Sequence, residues 1–184
     1  RNITLIKETN FEKKPIHITK TIEAGSITGA VTGTYKIGYL MYNQFVSSYD
    51  EELNDVFADF KSENITDLVL DLRYNRGGAI SSCVVLSSLI IGQFTGEVFS
   101  SQNWNDKLNK YWEEKNQVLN DYFVGSLSNG MALNSLNLSK LYVLTSSESA
   151  SASELLINGL ASHINVIHIG DTTIGKNVGS ITLY

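Results

Sequence analysis

What this sequence lacks narrows its chemistry before any motif is considered. It has one cysteine, Cys83, so no disulfide can close within its 184 residues. That cysteine lies in the apolar run Cys83-Val84-Val85-Leu86, the setting of a packed thiol rather than a nucleophile. Positive charge is in deficit: 14 Lys and Arg against 19 Asp and Glu give a net charge of −5, which leaves no basic footprint for nucleic acid. No hydrophobic run approaches the length of a membrane span, and the N-terminus lacks a signal-peptide layout. Histidine, the usual base for a serine nucleophile, occurs only at His17, His163 and His168, and nothing around them marks one as catalytic.

What remains, 42% hydrophobic and 18% charged residues, describes an ordinary globular domain with a substantial core. The chain starts at Arg1 and stops at Tyr184 inside a strand-like run, Ser180–Tyr184, so it reads as a piece of a longer protein. Residues 2–6 suggest a short strand left over from something upstream. Residues 7–34, with the only proline, Pro15, and a Gly/Thr-rich stretch, suit a hairpin or loose connection.

The first firm strand is Lys36–Tyr42, apolar enough to be buried on both faces. Ser48 and Glu51 have the spacing of a capping box, and Leu53, Val56, Phe57 and Phe60 form one helical stripe behind them. Thr66–Arg73 predicts a second buried strand, followed by the turn Tyr74–Gly78 and an apolar helix over about 79–91. Residues 92–139 are the least regular part, with a short helix predicted near Asn105–Gln117. Leu141–Thr145 and Asn165–Ile169 are two more strands, with an apolar helix between them. Strands alternating with helices predict a mostly parallel sheet whose site forms where the carboxyl ends of the strands meet the loops.

Three stretches fall at such ends. Ser146–Glu154 is a small-residue turn in which Ser151 and Glu154 fit a capping box. Such a turn can also expose a serine above a sheet while leaving helix-start N–H groups unpaired. A serine needs a base, and desolvated lysine is the alternative to histidine; Lys176 stands in a Gly/Thr-rich loop right after a strand. Gly77-Gly78 at a strand-to-helix corner could aim N–H groups at an oxyanion, which is worth about 3–4 kcal/mol per donor where measured.

In combination and in this order, Leu70-Asp71-Leu72-Arg73-Tyr74-Asn75-Arg76-Gly77-Gly78, Ser149-Ala150-Ser151-Ala152-Ser153-Glu154 and Gly170-Asp171-Thr172-Thr173-Ile174-Gly175-Lys176 resemble the C-terminal processing peptidases, or tail-specific proteases. Lys36–Leu40 resembles the strand that opens their catalytic domain. The wording after Lys176 is most similar to envelope lipoproteins of the Bacteroides group. The resemblance implies an α/β fold, a crotonase- or ClpP-like βαβ core with a mostly parallel sheet. It makes residues 36–184 a C-terminally incomplete catalytic domain with an insert at 92–139, residues 7–35 a connecting segment, and residues 1–6 the end of an upstream PDZ domain.

The activity it implies is a serine endopeptidase acting near exposed protein C-termini through an acyl-enzyme. Ser151 is then the nucleophile, Lys176 the base, and the N–H groups of Gly78 and Ala152 the oxyanion hole, with Ser149 and Ser153 in support. Neither cofactor nor metal is implied, and the partners are protein or peptide substrates, not nucleic acid. Localisation is expected in the periplasm or cell envelope, with any membrane link through a lipid anchor outside this chain. One departure stands out: Ser180 occupies the position where the family usually has a lysine-orienting glutamine, and its reach is shorter. That difference motivates an alternative, a catalytically weakened peptide-binding envelope protein of the same fold. A crotonase-type acyl-CoA enzyme fits less well, because its chemistry needs no Ser151/Lys176 pair.

Overall fold

The computed structural model describes residues 14–23 and 35–180. The strand expected over residues 2–6 lies outside these, as do the last four residues of the strand-like C-terminal run. Four parallel strands form the centre of the molecule: β2 (Lys36–Tyr42), β3 (Asp67–Asp71), β6 (Lys140–Thr145) and β7 (Asn165–Gly170). β1 (Ile16–Glu23) adds antiparallel to the outer edge of β2, so the five-stranded order is β1-β2-β3-β6-β7. The inner strands carry the longest apolar runs because helices cover them; Leu40, Leu68, Leu70, Leu141 and Val143 are fully buried.

The connecting helices are α1 (Asp50–Ser62), α2 (Ile80–Ile90) and α4 (Ala152–Ala161), and α2 lies against both of the others. Its central place explains its composition: every residue from Ser82 to Ile90 is buried, so no polar face survives. The stripe predicted on α1 faces the core, with Leu53, Phe57 and Phe60 buried and Val56 packed at its margin. Cys83 is buried and free, its thiol pushed up by desolvation, and its Sγ donates to the carbonyl of Ala152, 3.3 Å away.

Three expectations need correction. The capping box at Ser48 and Glu51 does not form. A 3-10 turn at Ser47–Tyr49 leads into α1 instead, with backbone bonds serving the helix start, and Glu51 Oε1 accepts from Asn129 Nδ2 at 2.7 Å. Within residues 7–34, Ile16–Glu23 is a full edge strand. Ile16, Ile18 and Ile22 alternate with polar residues, but Lys20 interrupts the period and the side chains are mostly exposed, so the run does not read as a core strand. The stretch 92–139 also holds more order than its irregular sequence suggests. It contains an antiparallel pair, β4 (Val98–Ser101) with β5 (Asn120–Tyr122), around α3 (Asp106–Glu114), which Asn105 caps by accepting from Leu108 N. Strands of four and three residues are too short to show a period. Among the described residues no helix is long and apolar enough to cross a membrane.

Because β2, β3, β6 and β7 run the same way, the loops after Tyr42, Asp71, Thr145 and Gly170 all emerge at one edge. Asp71 closes β3 there. Its buried carboxylate accepts from Tyr39 Oη at 2.6 Å, from Arg73 Nη2 at 2.7 Å and from the Arg73 amide at 3.1 Å. Burial alone would raise its pKa, but these hydrogen bonds, led by Arg73, outweigh it and hold the carboxyl below the usual range. The stability this contributes is fully present above the unfolded Asp value of about 3.9 and is lost as pH falls through the lower folded value. Urea unfolding between pH 6 and 2.5 is expected to show this acid-side loss in the native chain. Asp71→Asn should be less stable at pH 6 and show a shallower acid decline; equal slopes would mean that Asp71 is not the group responsible.

Candidate active site

The site is assembled from the loops at the carboxyl edge of the sheet, beginning with Asn75. This residue is fully buried and uses both ends of its side chain: Nδ2 donates to Tyr42 O at 2.9 Å and Oδ1 accepts from Gly77 N at 2.8 Å. Its own carbonyl accepts from Ala150 N at 3.1 Å and from Ser153 Oγ at 2.9 Å. One residue thus binds the β3–α2 turn to the end of β2 on one side and to the turn before α4 on the other. Ser149 adds a second tether, its Oγ donating to Leu72 O at 2.8 Å.

Gly77 and Gly78 have φ of +101° and +143°, a region that L side chains rarely adopt. Space forbids a side chain as well. A Cβ at Gly77 would lie 2.7 Å from Ser151 Cβ and 3.0 Å from Ala152 N, and one at Gly78 would lie 2.1 Å from Phe45 O. The reason for the second approach is a short parallel bridge, in which Phe45 N donates to Gly77 O and Ala79 N donates to Phe45 O. This bridge uses the groups on either side of the Gly78 N–H and leaves that N–H aimed elsewhere. Neither the Gly78 N–H nor the Ala152 N–H has an acceptor among the described residues.

Ser151 sits at the corner between β6 and α4 with φ of 57° and ψ of −115°, a strained conformation for a residue with a side chain. Its N–H donates to Glu154 Oε2 at 2.7 Å, one half of the predicted capping box. The reciprocal approach of Ser151 Oγ to the Glu154 amide is present but too loose to count as a hydrogen bond. Of the three alternating serines, Ser149 and Ser153 commit their hydroxyls to carbonyls of the facing turn, and Ser151 does not.

Glu154 does more than cap a helix, a role the sequence did not reveal. Its Oε1 accepts from Thr173 Oγ1 at 2.7 Å and from Gly175 N, while Oε2 accepts from Lys176 N at 3.0 Å. Burial would raise its pKa, yet hydrogen bonds from Thr173, Gly175, Ser151 and Lys176 together hold the carboxyl below its ordinary value. A single oxygen therefore receives both the Ser151 and the Lys176 amides, at 2.7 and 3.0 Å. The loop is pinned again where Ile174 N donates to Ser149 O at 3.0 Å.

The structure thus brings Gly78, Ala152 and Ser151 together and brings the backbone of Lys176 beside them. The Lys176 side chain is exposed, and its Nζ makes no hydrogen bond or ion pair among the described residues. Ser180 is exposed and likewise makes no hydrogen bond among them. The histidines are placed elsewhere: His168 meets Thr145 Oγ1, His163 packs on the rings of Phe94 and Phe123, and His17 lies exposed on β1. Among the described residues no group of three His, Cys, Asp or Glu side chains is placed to hold a metal ion. Beside Gly77 and Gly78 an open depression of about 580 Å³ is lined further by Asn43, Gln44, Tyr74, Arg76 and Glu148.

Comparison with known proteins decides the family. The model of peptidase family S41 matches residues 36–183. The chain belongs to peptidase family S41. It is 25% identical over 181 residues to a CtpA-like serine protease of Staphylococcus epidermidis, covering 98% of this chain and 33% of that protein. It is 28% identical over 145 residues to the carboxy-terminal-processing protease of Bartonella bacilliformis, covering 76% of this chain and 29% of that one. An S41 protease structure from Bacteroides fragilis superposes with a TM-score of 0.76 at 29% identity, over 91% of this chain and 41% of that one. The photosystem II D1 C-terminal processing protease shares the fold, with a TM-score of 0.63 at 21% identity over 90% and 38% of the two chains. The α/β core with its mostly parallel sheet is thus that of the S41 catalytic domain, and the chain spans about a third of the length of the curated relatives it matches.

In this S41 domain the lysine loop depends on Glu154 accepting four hydrogen bonds with two anionic oxygens. Glu154→Gln turns one oxygen into a donor and removes the charge. Placed at Oε1, the new donor loses the Gly175 amide, since the Thr173 hydroxyl can turn to accept. Placed at Oε2, it loses the Ser151 and Lys176 amides, and in either case the remaining bonds are weakened. Hydrogen exchange of the Gly175 and Lys176 amides should accelerate about tenfold or more, while β6 exchange stays unchanged. Unaltered exchange in the loop would show that the carboxylate does not hold it.

Proposed function

We propose that this chain is the catalytic domain of a serine endopeptidase that cleaves proteins near exposed C-termini. In this reading residues 36–184 carry the chemistry and residues 1–6 end an upstream PDZ domain. The observation that carries it is the strained Ser151 corner closed against Gly77-Gly78, with two N–H groups on the facing turns, Gly78 and Ala152, that have no acceptor among the described residues. A peptide carbonyl placed between those donors would develop its negative charge where hydrogen bonds already point, so little reorganisation accompanies the reaction.

Ser151 Oγ attacks the carbonyl carbon while Lys176 Nζ takes its proton. The tetrahedral oxyanion accepts from Gly78 and Ala152, then collapses, and the lysine ammonium protonates the departing amine. Water then attacks the ester with Lys176 again taking the proton. The intermediate collapses by breaking its bond to Ser151 Oγ, which regains that proton from Lys176, and the acid leaves. Lys176 can supply this because its backbone is held beside Ser151 through Glu154, while four methylenes let the amine swing to the hydroxyl. Neither metal nor cofactor enters these steps. The family's usual setting favours the periplasm or cell envelope.

A second reading has its own observation: Lys176 Nζ is unbonded among the described residues, and Ser180 stands where the resembled family usually has a lysine-orienting glutamine. It takes the protein as a peptide binder with weakened catalysis. In the full-length protein, Ser151→Ala and Lys176→Ala are expected to lower cleavage of an unstructured substrate by roughly 10⁴-fold or more with unchanged circular dichroism. Full activity in either variant would remove the dyad. A native protein that neither cleaves nor reacts with a serine-directed phosphonate would favour the binder.

A further inference from the structure

We infer that the depression beside Gly78 is a carboxylate-binding subsite, in which the Arg76 guanidinium exchanges Glu148 for a carboxylate of the bound substrate. The inference rests on the proposed peptidase reading, because that reading puts the reacting carbonyl at the Gly78 N–H. A chain bound there must send its neighbouring residue into this depression, since Gly78 belongs to both.

The lining favours an anion. Asn43, Gln44 and Tyr74 can all donate hydrogen bonds, and Arg76 contributes the only positive charge. The one negative group, Glu148, is already engaged by Arg76 Nη2. Helix α2 starts just beyond Gly78 with no side-chain cap on its first N–H groups, which adds positive potential on the same side. Of the nearby carboxylates, Asp71 is neutralised by Arg73, while Asp50, bonded to Ser82 Oγ at 2.6 Å, offsets part of the helix-start potential, so Arg76 remains the main attraction for an anion.

The pair is built to open. The side chains of Arg76 and Glu148 are 71% and 48% exposed, and exposed ion pairs contribute little to stability. Glu148 has no other side-chain partner among the described residues, so it can turn to water at small cost. Arg76 by contrast stands on an immobile base, because Asn75 Oδ1 holds Gly77 N and the Asn75 carbonyl holds the α4 turn. A planar guanidinium on a fixed backbone suits bidentate recognition of a carboxylate. Two sources could supply it: the free α-carboxylate of a short C-terminal tail, or an acidic side chain flanking the cleaved bond.

The test uses the full-length protease and peptides of one parent sequence. One pair differs as C-terminal acid and amide, and the other as Glu and Gln beside the cleavage point. The native enzyme should prefer the carboxylate member of one pair by about tenfold in kcat/KM, and which pair shows it identifies the source. In Arg76→Gln that ratio should fall to near one, in Arg76→Lys it should be partly kept, and in Glu148→Gln it should rise because the internal competitor is gone. Raised salt should shrink the native ratio. Phosphonate labelling of Ser151 in each variant checks that the site is intact. No carboxylate preference in the native enzyme, or an unchanged ratio in Arg76→Gln, overturns the subsite while leaving the catalytic reading standing. Cleavage that survives Ser151→Ala overturns both.

Discussion

The hydrogen bonds of one buried residue, Asn75, made by both its side chain and its carbonyl, fix the distance between the two turns that make this candidate site. Unpaired, an amide this deep would be costly, so its partners are obligatory rather than decorative. With Nδ2 on Tyr42 O and Oδ1 on Gly77 N, the β3–α2 turn can have only one shape. That shape presents the Asn75 carbonyl to Ala150 N and Ser153 Oγ, and so brings the α4 turn to within 2.7 Å of where a Gly77 Cβ would lie. The two glycines follow from this closeness: it is the approach of Ser151 and Phe45, as much as positive φ, that excludes any larger residue.

Such closeness also explains how strain at Ser151 can persist. A serine at φ of 57° and ψ of −115° would relax in a free loop. Here the flanking serines are bonded to Leu72 O and Asn75 O, and the Ser151 amide is bonded to Glu154. The corner is over-determined from both sides. Its alternating Ser-Ala-Ser-Ala-Ser pattern then has a division of labour. The outer serines tie the turn down through their hydroxyls, the small alanines allow the turns to touch, and the middle serine is left at the apex.

Much of this was legible in the residues, and the rest failed for definite reasons. Buried strands such as Leu68–Asp71 and the all-apolar α2 announce themselves by continuous hydrophobic runs. β1 does not, because Lys20 breaks its alternation at Ile16, Ile18 and Ile22 and its exposed side chains form no continuous hydrophobic run. Ser48 and Glu51 had the spacing of a capping box, but a 3-10 turn supplied the same bonds and released Glu51 to Asn129. The order of the three motifs pointed to the site itself. What the motifs could not convey is the wiring between them. Glu154 reaches Thr173 and Lys176 across 19 and 22 residues, and in sequence it looked only like the partner of a serine three positions away.

That wiring bears on how a loop after the last parallel strand can serve the turn after the one before it. Gly170, with φ of +125°, lets the chain leave β7 close against Thr145, whose hydroxyl donates to Asp171 O at 3.0 Å. The loop then passes the Ser151 turn, gives its Ile174 amide to Ser149 O and its Gly175 and Lys176 amides to Glu154. Its backbone is positioned mostly by main-chain donors, which any residue could supply, with the Thr173 hydroxyl as the one side-chain donor to Glu154. The Lys176 side chain is unbonded among the described residues. In the proposed mechanism, a base that takes a proton from Ser151 and returns it to a leaving amine benefits from this arrangement. The anchor sets where the amine can reach, and the free methylenes let it serve both partners in turn.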